Sequence, residues 1–270
     1  MASVGTYAVL GSTGNCGTAL IQNLLEHPTA RINAYCRNKS KLLRLLLGIK
    51  KEGGRVNIFE GSIQDEELLR SCVQDCRAVF LCTSTNDNVP GCHMAQDATA
   101  AVIKSLRHHN QQSSNEATKT LPTIVLLSSG TVDSKFSRNM PSALLWVLLR
   151  SASHVYNDII QAQKLLQAEE EWLNALYVKP AMLSVDYQRG HALSLTDQDE
   201  NPLSYLDLAA AMIEAANDDE GHYVGKDVSV VNTGGKAKFP AGTPMCILLG
   251  LISCWFPRLY PYLPANTGPG

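Results

Sequence analysis

Gly11, Gly14 and Gly17 stand three residues apart in the run Gly11-Ser12-Thr13-Gly14-Asn15-Cys16-Gly17. Glycine at the first place permits a tight turn, and at the second it lets backbone approach an anion with no side chain between. At the third it lets a helix pack close to a strand. A helix starting in this run offers free N–H groups and partial positive charge to a pyrophosphate, with Thr13, Asn15 and Cys16 lining the turn. A second group follows at Cys36-Arg37, then Lys39 and Lys41, with no acid among them. A carboxylate at that place accepts from a ribose 2′-hydroxyl, whereas a cation pairs with a 2′-phosphate. Arg37 can stack on adenine and fork onto that phosphate, and Lys41 adds a second charge. Together these residues point to NADP(H).

The elements that must position them can be read from periodicity. A strand over 6–10 runs into the glycine turn, and 18–25 has helical spacing with Leu20, Ile21, Leu24 and Leu25 on one face. Further strands are predicted over 32–36, 56–59, 78–82, 123–127, 175–178 and 228–231. Helices are predicted over 42–49, 66–76, 94–108, 142–149, 156–173 and 205–216. This alternation implies one α/β domain over 1–270, a doubly wound parallel sheet of Rossmann type.

Ligands of such sheets sit at the carboxyl ends of the strands. Ser62 and Ile63 are therefore expected near adenine, with Asp65 capping the next helix. Thr83 and Ser84 are expected under the ribose and nicotinamide. The polar stretch 110–120 reads as a surface excursion. Residues 182–204 and 232–270 break the alternation and read as a small C-terminal substrate-binding lobe, with Met182, Leu183, Tyr187, Trp255 and Phe256 as apolar wall. The apolar run 245–256 is too short to span a bilayer, which needs about twenty residues. It suits a helix packed on the domain or against a second copy, so a homodimer is one expectation, with a substrate lid or a membrane-surface anchor as alternatives.

Composition narrows the partners. Lys+Arg 23 against Asp+Glu 25 leaves a net charge of −2, with no bulk attraction to nucleic acid or an anionic membrane. Hydrophobic residues at 45% with 18% charged describe a globular chain. The first ten residues lack the basic and apolar segments of a secretory signal, so a cytoplasmic location with reduced thiols is expected. Cys72 and Cys76 have no second pair and no nearby His, so no metal site is expected.

The glycine run, Arg37, Ser128-Ser129 and Val178-Lys179-Pro180 resemble the short-chain dehydrogenase/reductase superfamily in its atypical, NmrA-like branch. The closing segment from Asn232-Thr233-Gly234-Gly235 resembles the averufin oxidase-like reductases of fungal aromatic polyketide pathways. The resemblance implies hydride transfer between NADP(H) and a carbonyl or quinoid carbon of an anthraquinone-like small molecule. It implies that Ser129 orients the substrate oxygen and that Pro180 lies beside the cofactor. It further implies a Tyr-x-x-x-Lys pair that exchanges a proton and holds the nicotinamide ribose. Lys164 lies where the Lys belongs, but the residue four earlier is Ile160. Tyr156 is the nearest phenol, with His154 and Asp158 as rivals. The broken pair leaves open a dehydratase, isomerase or ring-opening enzyme, or an NADP(H) sensor that turns nothing over.

Overall fold

Strands that read as unbroken apolar runs are covered on both faces, and here helices do the covering. The computed structural model describes residues 5–46, 54–112, 121–264 and 268. Strands β1 (Thr6–Leu10), β2 (Arg31–Cys36), β3 (Val56–Glu60), β4 (Ala78–Leu81), β5 (Thr123–Leu127) and β6 (Ala175–Val178) come first. Helices α1 (Asn15–Glu26), α2 (Lys39–Leu45), α3 (Glu66–Val73), α4 (Met94–Gln112), α5 (Ser142–Ser151) and α6 (Ser153–Gln167) connect them. The chain continues through β7 (Leu183–Ser184), β8 (His191–Ser194), β9 (Leu203–Ser204), α7 (Tyr205–Ala216), β10 (Asp227–Asn232) and α8 (Thr243–Trp255). A 3-10 segment, Pro257–Tyr262, follows α8.

The main sheet runs β3-β2-β1-β4-β5-β6-β10-β8, parallel throughout except where β8 pairs antiparallel with β10. The chain winds outward from β1 to β3, then returns to lay β4 on the other side of β1. A crevice opens at that reversal, beyond the carboxyl ends of β1 and β4. One face is closed by α1 and α7 through Leu20, Leu24, Leu208 and Met212. The other is closed by α3, α4 and α6 through Leu69, Val102, Leu106, Ile159 and Leu166. The doubly wound Rossmann-like sheet expected from the alternation is what the chain adopts.

Several boundaries differ from the sequence reading. Helix α4 runs on to Gln112, so the polar stretch begins inside a helix, and 113–120 lies outside the described residues. Helix α2 ends at Leu45, and the rest of the segment expected to be helical, to 49, falls mainly outside the described residues. Helix α6 starts at Ser153 and stops at Gln167, and the chain from Ala168 to Leu173 leads to β6 through turns, with Trp172 N–H donating to the Glu169 carbonyl. Part of 182–204 joins the domain itself: β8 extends the main sheet, while β7 and β9 form a small parallel pair.

Helix α8 packs on α5, and Gly250 is what permits the approach, since a Cβ there would lie 1.9 Å from the Ser151 carbonyl oxygen. The outer faces of this pair leave Trp146, Leu248, Trp255 and Phe256 about half exposed. Among the described residues no helix is long and apolar enough to cross a membrane.

Candidate functional site

Gly11 adopts a φ of +81°, and a Cβ there would lie 2.5 Å from the Cys82 carbonyl oxygen. At Gly17 a Cβ would come within 2.3 Å of the Gly11 carbonyl oxygen, so helix α1 can start there only with glycine. Gly14 is exposed and donates its N–H to the Gly11 carbonyl at 2.9 Å. No side chain caps α1 and its first turn holds no acid, so its N–H groups stay available to an anion. Asn15 is exposed beside them and Thr13 is half-buried. The Cys16 side chain points under the turn, its Sγ 3.6 Å from that of Cys82, so Cys16 can serve a phosphate only through its backbone.

Arg37 and Lys41 are exposed beyond the end of β2, and neither side chain has an ion-pair or hydrogen-bond partner among the described residues. Asn38 caps α2, accepting from Lys41 N–H at 2.8 Å. Glu60, at the end of β3, accepts from Lys39 N–H at 2.9 Å. The loop after β3 is braced by Tyr35, whose hydroxyl donates to the Ser62 carbonyl at 2.7 Å. Burial, with help from Asp65, pushes that phenol up to about 12, so it stays a donor. Asp65 caps α3 as expected, accepting from Leu68 N–H at 3.1 Å. Ser62 is exposed, and half-buried Ile63 packs against the second core cluster, so both stand at the rim of the crevice.

At the ends of β4 and β5 two hydroxyls are buried without partners among the described residues, Thr83 Oγ1 and Ser128 Oγ. Leu81 pairs with Leu126, so the two hydroxyls follow neighbouring strands at the same level. Burying a hydroxyl unpaired costs about 1–3 kcal/mol, a cost that a polar ligand across these strand ends removes. The residues present therefore fit a dinucleotide here. Ser84 is exposed on the same loop. Ser129 Oγ accepts from Thr131 N–H at 3.3 Å and keeps its own proton free to donate. Nothing in the sequence sets Ser128 apart from Ser129; its isolation is visible only in three dimensions.

The Ser129 loop is fixed from below. Gly130 N–H donates to the Pro180 carbonyl at 2.8 Å, and Pro180 is buried. Lys179, 5% exposed, places Nζ 2.8 Å from Asp133 Oδ2 and 2.8 Å from Asp227 Oδ1. Burial alone would raise the Asp133 carboxyl, but hydrogen bonds from Lys179 and from backbone N–H groups hold it below its usual range. The sequence marked Lys179 only as part of a motif. A charged residue interrupting an apolar strand end was the available signal.

Helix α6 departs from what the resemblance implies. Lys164 is exposed in its last turn. Because α6 runs antiparallel to β6, that turn lies at the amino ends of the strands, about 12 Å along the axis from Tyr156. Tyr156 is half-buried and packs against the second core cluster. The structure therefore does not assemble Ser129, Tyr156 and Lys164 as one constellation. Asp158 is fully used as a cap on α4, accepting from Ala95 N–H at 2.8 Å and Gln96 N–H at 3.0 Å. His154 gives its backbone N–H to Asn88 Oδ1 at 2.8 Å, and its Nε2 is buried without a partner.

Asn88 is a junction. Its Nδ2 donates to the Gly250 carbonyl at 3.0 Å and to Ser153 Oγ at 3.3 Å, and its own carbonyl accepts from Ser253 Oγ at 2.5 Å. Beside it lies a cavity of about 240 Å³, bounded by the loop after β4, by α8 and by the closing 3-10 segment. The expected apolar wall does not line it. Leu183 packs into the first core cluster, Tyr187 is 66% exposed under the Arg189 guanidinium, and Trp255 faces Trp146. No group of three or more His, Cys, Asp or Glu among the described residues is arranged to hold a metal ion.

Comparisons with known proteins agree with this geometry. Residues 11–219 match the family described as NAD(P)H-binding. The oxidoreductase nsrR of Aspergillus novofumigatus is 61% identical over 264 residues, covering 98% of each chain. The oxidoreductase claK of Passalora fulva is 52% identical, again over 98% of each chain. Among solved structures, a short-chain dehydrogenase/reductase of Veillonella parvula in complex with NADP matches with a TM-score of 0.64 at 20% identity, covering 86% of this chain and 97% of its own. The chain belongs to the NAD(P)H-binding family, with the Rossmann-like fold of short-chain dehydrogenases/reductases and fungal oxidoreductases as full-length relatives.

Proposed function

We propose that this chain is an NADP(H)-dependent oxidoreductase of the atypical short-chain type, reducing a carbonyl or quinoid carbon of a bulky, planar, anthraquinone-like polyketide. The observation that carries the cofactor choice is the pair of cations beyond β2, Arg37 and Lys41, whose side chains have no partner among the described residues. They would hold the 2′-phosphate, and the uncapped start of α1 would hold the pyrophosphate. Thr83 and Ser128 would hydrogen-bond the ribose and nicotinamide half. When bound, NADPH supplies a hydride from C4 of its nicotinamide. Ser129 donates its free proton in a hydrogen bond to the substrate oxygen and stabilises charge developing there. All eight cysteines are free thiols, which suits a cytoplasmic, reducing compartment. A homodimer would form on the half-exposed α5–α8 face.

The test is fluorescence titration of NADPH against NADH on the wild type and Arg37→Ala. NADPH preference in the wild type and its loss in the variant support the reading; equal binding of both nucleotides by the wild type overturns it. One observation favours a second reading. Lys164 lies at the amino ends of the strands, away from their carboxyl ends, which suits a cofactor held for a dehydration, an isomerisation or sensing. Product mass separates them: a gain of two hydrogens marks reduction, whereas loss of water or an unchanged mass marks the alternative.

A further inference from the structure

We infer that the proton for this reduction comes from Tyr260, carried to the strand ends by the closing 3-10 segment, with the substrate's aromatic rings in the cavity it lines. The inference rests on the reductase reading above. Asp87 and Asn88, on the cavity wall, follow Thr83 on the loop that leaves β4. One wall of the cavity is therefore the loop at the carboxyl end of β4, the strand that in a dinucleotide fold begins the nicotinamide half.

The chemistry of the lining singles out one donor. Ser253 gives its hydroxyl proton to the Asn88 carbonyl, and the Asn88 amide is spent on Gly250 and Ser153. Leu249, Leu263 and the two prolines of the wall carry no exchangeable proton. Tyr260 is half-buried, and its hydroxyl has no hydrogen-bond partner among the described residues. Burial, together with the negative charge of Asp87, pushes this phenol up, so it keeps its proton at neutral pH. The half-buried Asp87 carboxylate has no cation partner among the described residues and is free to accept from a phenolic hydroxyl. A planar aromatic carrying both a carbonyl and a phenolic hydroxyl fits this pair. The alternatives on α6 are occupied, Tyr156 in the core cluster and Asp158 in the cap on α4.

The step balances. The carbonyl carbon takes the hydride, a two-electron reduction of C=O to CH–OH. The substrate oxygen takes the Tyr260 proton as the O–H bond breaks, and the phenolate recovers a proton from water. The consumed reductant is NADPH.

The experiment uses the full chain with 1,8-dihydroxyanthraquinone as probe, and compares Tyr260→Phe, Tyr156→Phe and Tyr262→Phe. Tyr262, 84% exposed, is the neighbouring control. With NADPH, Tyr260→Phe is expected to lose about 100-fold in kcat with KM within about threefold, the scale of a lost general acid. Its NADPH affinity is expected to be unchanged, and Tyr262→Phe to match the wild type. A Tyr260→Phe rate within about threefold of wild type overturns the proposal, as does loss of rate in Tyr156→Phe alone. If the wild type binds probe and NADPH but oxidises none, the reductase reading itself fails, and the proton role with it.

Location is tested without turnover, by the visible absorption shift of the probe in the presence of NADP⁺. Leu249→Trp fills the cavity and is expected to abolish the shift while NADP⁺ still binds. Leu263→Trp blocks the same space should the first variant not fold. A shift that survives in a folded variant overturns the site.

Discussion

The ends of β2 and β6 each carry a cation, Arg37 on one and Lys179 on the other, and they are held in opposite ways. Arg37 is exposed without a partner among the described residues, whereas Lys179 is buried between two carboxylates. A free cation on a rigid strand end is available to a ligand; a cation already satisfied on both sides can only hold its neighbours. The β2 end of the crevice thus leaves its cation open, and the β6 end closes its cation into a frame. The two ends should therefore fail differently, one in binding and the other in stability.

Lys179→Met should have the largest effect, because it leaves the buried Asp133 carboxylate without its cation and takes one partner from Asp227. Breaking a buried pair in this way costs about 3–5 kcal/mol, read by urea unfolding at pH 7. In the wild type Asp133 is lowered on folding. Its contribution is therefore fully present above the ordinary carboxylate pKa, about 3.9, and is lost as pH falls through the lower folded value. In the variant only the backbone N–H groups still oppose burial, so this contribution shrinks, and the gap to wild type should narrow as pH falls below the ordinary carboxylate pKa of about 3.9. Next in size is Gly17→Ala, which should lose about 1–3 kcal/mol of stability by pushing α1 off the Gly11 carbonyl. NADPH binding should be lost with it, read by titration.

Arg37→Ala should leave the melting temperature unchanged while NADPH affinity falls by roughly 10- to 150-fold, the range for a lost charged hydrogen bond. That loss should shrink in high salt, since the contact is exposed. Asn38→Ala removes the cap of a short helix and should cost about 1 kcal/mol, with a smaller effect on NADPH through the displaced Lys41. Lys164→Ala sits at the bottom of the series. From its exposed place it should change stability by less than about 0.5 kcal/mol and leave turnover intact. A large loss of turnover there would return Lys164 to the chemistry.

The contrast between the two ends also marks what was legible in the sequence. The glycine turn, Arg37 and the Asp65 cap depend on neighbours within a few residues, so spacing alone exposes them. Strands such as Thr123–Leu127 and the helix Tyr205–Ala216 match their reading because apolar period and flanking polar residues agree. Strands β7 and β9 have two residues each, and His191–Ala192–Leu193–Ser194 has no β-branched residue to announce β8. Asn88 and Lys179 owe their roles to partners far along the chain. Tyr260 lies in a Pro-rich stretch where periodicity says little.

Asn88 binds the loop after β4, the α5–α6 junction and α8 through one buried side chain and its own carbonyl. Loosening any one of these segments exposes polar groups belonging to the others. In hydrogen exchange their amides should therefore open together, as a single cooperative unit with one protection factor, while the start of α1 exchanges on its own schedule. A substrate entering beside Asn88 would then meet one body that breathes as a whole, and its occupancy should slow exchange in all three segments by the same factor.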